Sequence, residues 1–207
     1  MKKTFITLIA GVLFIHAAYA QKARLGFTAG ATFSNYQAKT DGQDDNGKSK
    51  TGITAGLIAN FPAGKNFMIQ TGAHWVEKGT RDEDGSDKIS LTVSTIEVPV
   101  NFLYSNSGFF IGAGPSISFA VSGKWKFEYG GEEMSVKAKF GNSDDDHMKG
   151  FDFGANAVAG YQFPGGFLIM TNFNQGFSNL IPGESGNSKL NSHYFGIRLG
   201  YVLKGGK

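Results

Sequence analysis

The stretch FDFGANAVAGYQF, residues 151 to 163, decides the fold. Phe151, Phe153, Ala155, Ala157, Ala159, Tyr161 and Phe163 are apolar and occupy every second position, the period of a strand whose two sides meet different surroundings. The other side reads Asp152, Gly154, Asn156, Val158, Gly160 and Gln162. A soluble sheet turns its polar side to bulk water and fills it with Lys and Glu, whereas this side is small, amide-rich and nearly uncharged. An apolar outer side against lipid and a small polar inner side account for both halves of the pattern.

The same pattern recurs along the chain. Strands are predicted over residues 24–36, 52–61, 66–77, 89–104, 109–122, 151–163, 166–177 and 192–203, eight in all. Three connections are tight turns: Pro62 to Lys65, Ser105 to Gly108 and Pro164 to Gly165. The others, at 38–50, 79–88, 123–149 and 179–191, are long and polar. Short turns at one end and long loops at the other are the layout of an outer-membrane barrel with periplasmic turns, and an even strand number puts both termini in the periplasm. A strand of about 11 residues, rising roughly 3.3 Å per residue and tilted by about 40°, crosses roughly 28 Å, enough for the apolar band. The fold class is therefore all-β, an eight-stranded antiparallel up-and-down transmembrane β-barrel. In so narrow a barrel side chains themselves fill the interior, so a small, uncharged lining of Gly, Thr, Ser and Asn is expected. The soluble alternative, an apolar-inside barrel of lipocalin type, needs a charged outer face that these strands lack.

Aromatic girdles are expected from Phe61, Phe67, Tyr104, Phe109, Phe163 and Phe167 beside the turns, and from Phe33, Tyr36, Trp75, Trp125 and Phe151 toward the loops. One strand changes phase, since Leu91 and Val93 are odd-numbered but Ile96, Val98, Val100, Phe102 and Tyr104 even. This predicts a β-bulge near Ser94 or Thr95, which also eases the missing N–H of Pro99, and Pro115 suggests a second irregularity. The segment KWKFEYGGEEMSVKAKF alternates on both sides of Gly130-Gly131, a two-residue turn sequence. It reads as an extracellular hairpin, because its lysines and glutamates favour water, or else as two further spans.

Lys2 and Lys3, the apolar run from Phe5 to Ile15 and Ala18-Tyr19-Ala20 form a secretory signal cleaved after residue 20, leaving residues 21–207 as one barrel domain. Without the two signal lysines, 18 basic residues face 17 acidic ones, so no overall basic bias attracts nucleic acid. The absence of cysteine excludes a lipidated N-terminal cysteine, disulfides and a thiol nucleophile.

At this point the residues resemble a family, the PorT-like small outer-membrane β-barrel proteins of the porin-like group. The resemblance rests on Ile96-Glu97-Val98-Pro99-Val100, Ala113-Gly114-Pro115, Asp152-Phe153-Gly154 through Gly160-Tyr161-Gln162, and Gln175-Gly176-Phe177-Ser178-Asn179-Leu180, and spans about Arg24 to Leu203. It implies a Gram-negative outer-membrane barrel and is poorly specific for activity. Such chains often end on an aromatic residue read by the barrel-insertion machinery; here Tyr201 is the last aromatic.

The inward charges read from strand parity are Arg24, Glu97, Asp152 and Arg198, with Glu97 and Arg198 expected to pair. They form either a structural ion pair plugging the lumen or a selectivity element. Asp144, Asp145 and Asp146, next to His147, could hold a divalent cation or bridge lipopolysaccharide through one, although no calcium-loop spacing is present. DGQDDNGKSK fails the EF-hand pattern, with Asn46 at the glycine position. No cofactor motif occurs, and His74, His147 and His193 fit no hydrolase pattern. The leading expectation is a non-enzymatic barrel with a largely closed lumen, whose loops meet envelope or surface partners, among them outer-membrane lipid, lipopolysaccharide and proteins of unknown identity. The alternatives are a small porin for water or ions, a partner subunit of a secretion or assembly machine, and an outer-membrane hydrolase.

Overall fold

The structure, a computed structural model, describes residues 23–40, 43–84, 87–183 and 188–203. The expected signal segment lies outside them. The described residues form ten strands: β1 (Arg24–Thr40), β2 (Gln43–Asn46), β3 (Lys48–Pro62), β4 (Phe67–Asp84), β5 (Asp87–Asn106), β6 (Phe109–Tyr129), β7 (Glu132–Lys137), β8 (Phe151–Gln162), β9 (Phe167–Gly176) and β10 (Lys189–Val202). Eight of them pair antiparallel in the order β1-β3-β4-β5-β6-β8-β9-β10, and β10 pairs back onto β1 from Gly26↔Val202 to Lys39↔Lys189. The ring is closed, so no strand edge faces lipid. β2 and β7 add to β1 and β6 outside the ring.

Strand parity runs as the sequence dictates. On β8 Phe151, Phe153, Ala155 and Ala157 are exposed while Asp152, Gly154, Asn156 and Val158 are buried. Aromatic pairs mark the two ends of the outer apolar band. Phe67 meets Tyr104 at 5.7 Å and Tyr161 meets Phe163 at 4.9 Å at the turn end, and Phe119 meets Phe151 at 5.3 Å at the far end. Rings of this kind suit the headgroup level.

Four expectations are corrected. First, the supposed long loop 79–88 is largely strand: β4 and β5 stay paired out to Asp84↔Asp87. The segment 123–149 is not two further spans, for β6 continues to Tyr129 and returns as β7 through Gly130 (φ +59°) and Gly131 (φ +91°). These are the left-handed values that a two-residue hairpin turn demands and glycine supplies.

Second, the register does shift between Ser94 and Thr95, but the extra residue sits on β6, where Ser94 faces Ser122 and Thr95 faces Ala120, leaving Val121 unpaired. β5 itself keeps phase. Leu91 and Val93 point inward with Glu97 and Leu103, and β6 is the strand that reverses its faces. Third, Pro115 brings no register shift: the ladder skips Val100 and Asn101 against Gly114 and Pro115 and resumes unchanged. Pro99 lies in a similar skip against β4, between Thr71↔Val100 and His74↔Glu97.

Fourth, the interior is not lined by small polar residues alone. Ile58, Met68, Leu103, Phe110, Val158, Leu168, Met170 and Val202 form an inward apolar cluster at the turn end. Tyr36, Leu91, Val93, Met148 and Leu180, with Trp125, Phe140 and Leu190 against them, form another at the opposite end. Tyr36 and Trp125 therefore belong to the interior and not to the outer girdle. The bulge explains Trp125, since one unpaired residue swaps the two faces beyond it.

Candidate functional site

Between the two apolar clusters lies a buried polar layer. Glu97, 1% exposed, comes from β5, where the odd positions point inward. Its Oε1 accepts a hydrogen bond from Tyr194 Oη at 2.5 Å, and its Oε2 lies 3.3 Å from Lys78 Nζ, which also sits 5.1 Å from the centre of the Tyr194 ring. Arg198 does not pair directly with Glu97. Its Nη2 donates to Tyr194 Oη at 3.2 Å and its Nη1 to His74 Nδ1 at 3.1 Å. Because a guanidinium has no acceptor, that contact makes Nδ1 the unprotonated ring nitrogen. The expected pair is thus a relay, with the phenol of Tyr194 between carboxylate and guanidinium and Lys78 as the cation beside Glu97.

Lys78 and Tyr194 were missed by the sequence reading, although strand parity contains both. Even positions of β4 and β10 point inward, as His74 and Arg198 do. Lys78 lies beyond the apolar alternation of β4, where the strand was expected to have ended.

Around the charges runs a belt of amides. Asn172 donates to Asn156 at 3.0 Å, Asn156 to Asn101 at 3.0 Å, Asn174 to the Ser116 hydroxyl at 2.7 Å and Gln70 to Asn60 at 3.0 Å. Amides serve here because each both donates and accepts, and an unpaired polar group buried in a barrel is costly.

Asp152 is inward and buried, as expected, and its carboxylate accepts from Ser192 Oγ at 2.8 Å and from Ser178 N at 3.2 Å. It shares with Lys78 the wall of a cavity of about 20 Å³. Two buried cations, Lys78 and Arg198, thus accompany two buried carboxylates, Glu97 and Asp152. Arg24 departs from the expectation: it is exposed at the turn end and borders a mouth cavity of about 300 Å³ with Ser105, Gln162 and Pro164.

The acidic loop candidates do not converge. Asp146 Oδ2 accepts from Ser143 N at 3.0 Å, Asp144 and Asp145 are exposed, and no group of three potential ligands for a metal ion occurs among the described residues. His147 Nδ1 accepts from Lys139 N at 2.9 Å and so folds the segment after β7. His74 is inside and His193 lies against Phe173, 6.4 Å between rings.

Beyond the outer apolar band, β4, β5, β6 and β7 continue as a sheet. After the bulge its inner side carries Trp125, Phe127 and Tyr129, the first two stacked at 6.3 Å and the second two at 6.5 Å. Ile89 and Met134 face Phe127 across the strands, and Val136 faces Trp125. Tyr129, Met134 and Val136 are exposed. The other side carries Lys126 between Glu128 and Glu133, 2.8 Å from each, and Lys88 3.7 Å from Glu128. The bond to Glu128, followed by that to Glu133, pushes the Lys126 ammonium up to about 12. The Lys126 bond holds Glu128 below the ordinary carboxylate range, and the bond from Lys48 does the same for Glu83.

The chain is similar to several solved barrels. Ail, the attachment invasion locus protein of Yersinia pestis, is 14% identical with a TM-score of 0.45 over 86% of this chain and 99% of Ail. OprG of Pseudomonas aeruginosa is 13% identical with a TM-score of 0.41 over 87% and 96%, and the outer membrane protease OmpT of Escherichia coli is 8% identical with a TM-score of 0.36 over 87% and 96%. No curated protein sequence matches the chain. The model of the outer membrane protein beta-barrel domain matches residues 19–182, and with a closed ring of eight antiparallel strands around these residues the chain belongs to that family.

Proposed function

We propose that the protein is a non-enzymatic barrel of the Gram-negative outer membrane, with its lumen plugged, which presents the sheet of β5, β6 and β7 beyond the outer leaflet to envelope or surface partners. One observation carries the reading: apolar clusters at both ends enclose a charge-balanced polar layer, while the sheet outside exposes the apolar side chains of Tyr129, Met134 and Val136. A plugged interior leaves that outer surface as the place to meet a ligand. In this reading the turn end and both termini are periplasmic, in keeping with the short turns there. Three histidines in separate surroundings favour a non-enzymatic role. Kinship with the PorT-like subgroup rests on the motifs around Pro99, Pro115 and Gly176 and belongs to the same proposal, as do lipopolysaccharide and the insertion machinery as partners.

Trypsin added to intact cells tests the placement. Cleavage is expected within 124–139, where Lys124, Lys126, Lys137 and Lys139 flank the hairpin, with the ring left intact. A hairpin cut only after the outer membrane is permeabilised contradicts it.

A further inference from the structure

The charges on the outer side of the extended sheet are compensated within a row or by the adjacent row, except in one row. Nearest the tip, Glu83 stands opposite Lys88, Lys88 opposite Glu128 and Glu128 opposite Glu133. In the next, Arg81 reaches Glu83 at 3.6 Å, and Lys126 is held by Glu128 and Glu133. Closest to the membrane comes Thr92, then Lys124, then Lys137 across the strands. Lys124 and Lys137 are directly opposite, both exposed, and neither lies within 4 Å of a carboxylate among the described residues. The nearest outward carboxylate toward the membrane, Glu77, stands opposite Ser94, and its Oε2 accepts from Ile53 N.

Two like charges directly opposite on a sheet destabilise it, and an outside anion removes that penalty. The place selects the anion. Val121, 50% exposed, is the last apolar outward residue of β6, and Lys124 follows three residues later, at most roughly 10 Å further out along the strand. The Phe119–Phe151 pair marks the headgroup level just below. The lysines border an open concavity of about 750 Å³ together with Thr92, Ser122 and Ser135, whose hydroxyl groups are further donors for phosphate oxygens, and with the apolar Val121, Val136 and Phe140. We infer that Lys124 and Lys137 form a site for the phosphate groups of the outer-leaflet lipid. The inference rests on the membrane placement proposed above and adds the lipid group recognised.

The test uses the full-length mature barrel in nanodiscs, as wild type, as the double variant Lys124→Gln/Lys137→Gln, and as the compensated control Lys88→Gln. Retention of bisphosphorylated lipid A and of its dephosphorylated form is read by native mass spectrometry. Wild type and Lys88→Gln are expected to hold the phosphorylated lipid about tenfold more tightly than the double variant. Dephosphorylation should remove that margin for wild type and change little for the double variant. Equal retention by all three proteins, or a margin that survives dephosphorylation, overturns the inference. So does complete displacement by millimolar inorganic phosphate, which would mark a site for the free ion. In phosphate-free detergent the double variant should be at least as resistant to unfolding as wild type, because it has lost a repulsion; a less stable double variant would make the lysines structural and also overturn it. Heat-dependent gel mobility and external trypsin cleavage in the same samples report insertion and orientation, so failure of the membrane reading is distinguished from failure of phosphate recognition.

Discussion

Glu97 is held by two partners at once, Tyr194 and Lys78, in a place without bulk water. A buried pair of this kind is weak evidence of net stabilisation, but breaking it from one side is expensive, roughly 3–5 kcal/mol, because the survivor keeps its charge without compensation. Glu97→Gln should therefore lower the urea midpoint of the refolded barrel markedly. The double variant Lys78→Met/Glu97→Leu, which removes both charges, should recover most of the loss. If the double variant is as unstable as the single one, the two charges do not act as a pair. The sequence revealed Glu97, Asp152 and Arg198 as inward groups because strand parity is strict. It did not reveal who pairs with whom, since pairing depends on register between β4, β5 and β10 and on the length of Tyr194, which reaches the carboxylate before Arg198 does.

At the scale of the element, β6 carries the decisive irregularity. Below Val121 its even residues point inward, and beyond it Gly123 and Trp125 do. Deleting Val121 should restore regular pairing, with Ala120 opposite Thr95 and Ser122 opposite Ser94, and leave Trp125 inward opposite Leu91. On a Trp75→Phe background, which leaves Trp125 as the sole tryptophan, emission and protection from an aqueous quencher should match those of the parent. A red shift with access for the quencher contradicts the bulge, because in a regular strand the same deletion would turn Trp125 outward. The sequence pattern located the disturbance but assigned it to β5, because Leu91 and Val93 look lipid-facing by composition; they are apolar because they pack on Tyr36 and Met148 inside. The reach of β4 and β5 exceeds what the sequence pattern shows, since Glu83 and Lys88 have the composition of a loop and instead pair across strands in water.

The same element has a pH dependence with a definite sign. Glu83 and Glu128 are held below their ordinary values by Lys48 and Lys126, so the cohesion they give is present above the unfolded carboxylate value and lost as pH falls through the lowered one. The raised value of Lys126 has the opposite sign and is lost only as pH rises through about 12. These groups are exposed, so each effect is small and screened by salt. Acidification below the carboxylate range should speed proteolysis of the hairpin by an acid-active protease relative to a Glu128→Gln/Glu133→Gln variant, while the barrel stays folded. An equal acid response in both proteins contradicts the assignment.

For the molecule as a whole, the closed ring and its lipid-facing side were legible in the sequence because they follow from period-two alternation, turn spacing and the aromatic bands. The filling of the lumen was less so. Ile58, Met68, Leu103, Leu168 and Met170 stand on the face that Gly, Thr and Asn otherwise occupy, and only ring closure brings them together into one cluster. With Tyr36, Leu91 and Met148 at the other end they give the barrel a dry, polar, dry sequence of layers along its axis. The central claim is that this arrangement stops conduction and leaves contact with partners to the outer sheet. It is tested most directly by planar-bilayer conductance of the refolded mature barrel, with folding verified in the same preparation by heat-dependent gel mobility. A silent bilayer is the expected result. Discrete, reproducible steps from folded protein, altered when Glu97 and Arg198 are neutralised, would contradict it and make the buried polar layer the filter of a pore.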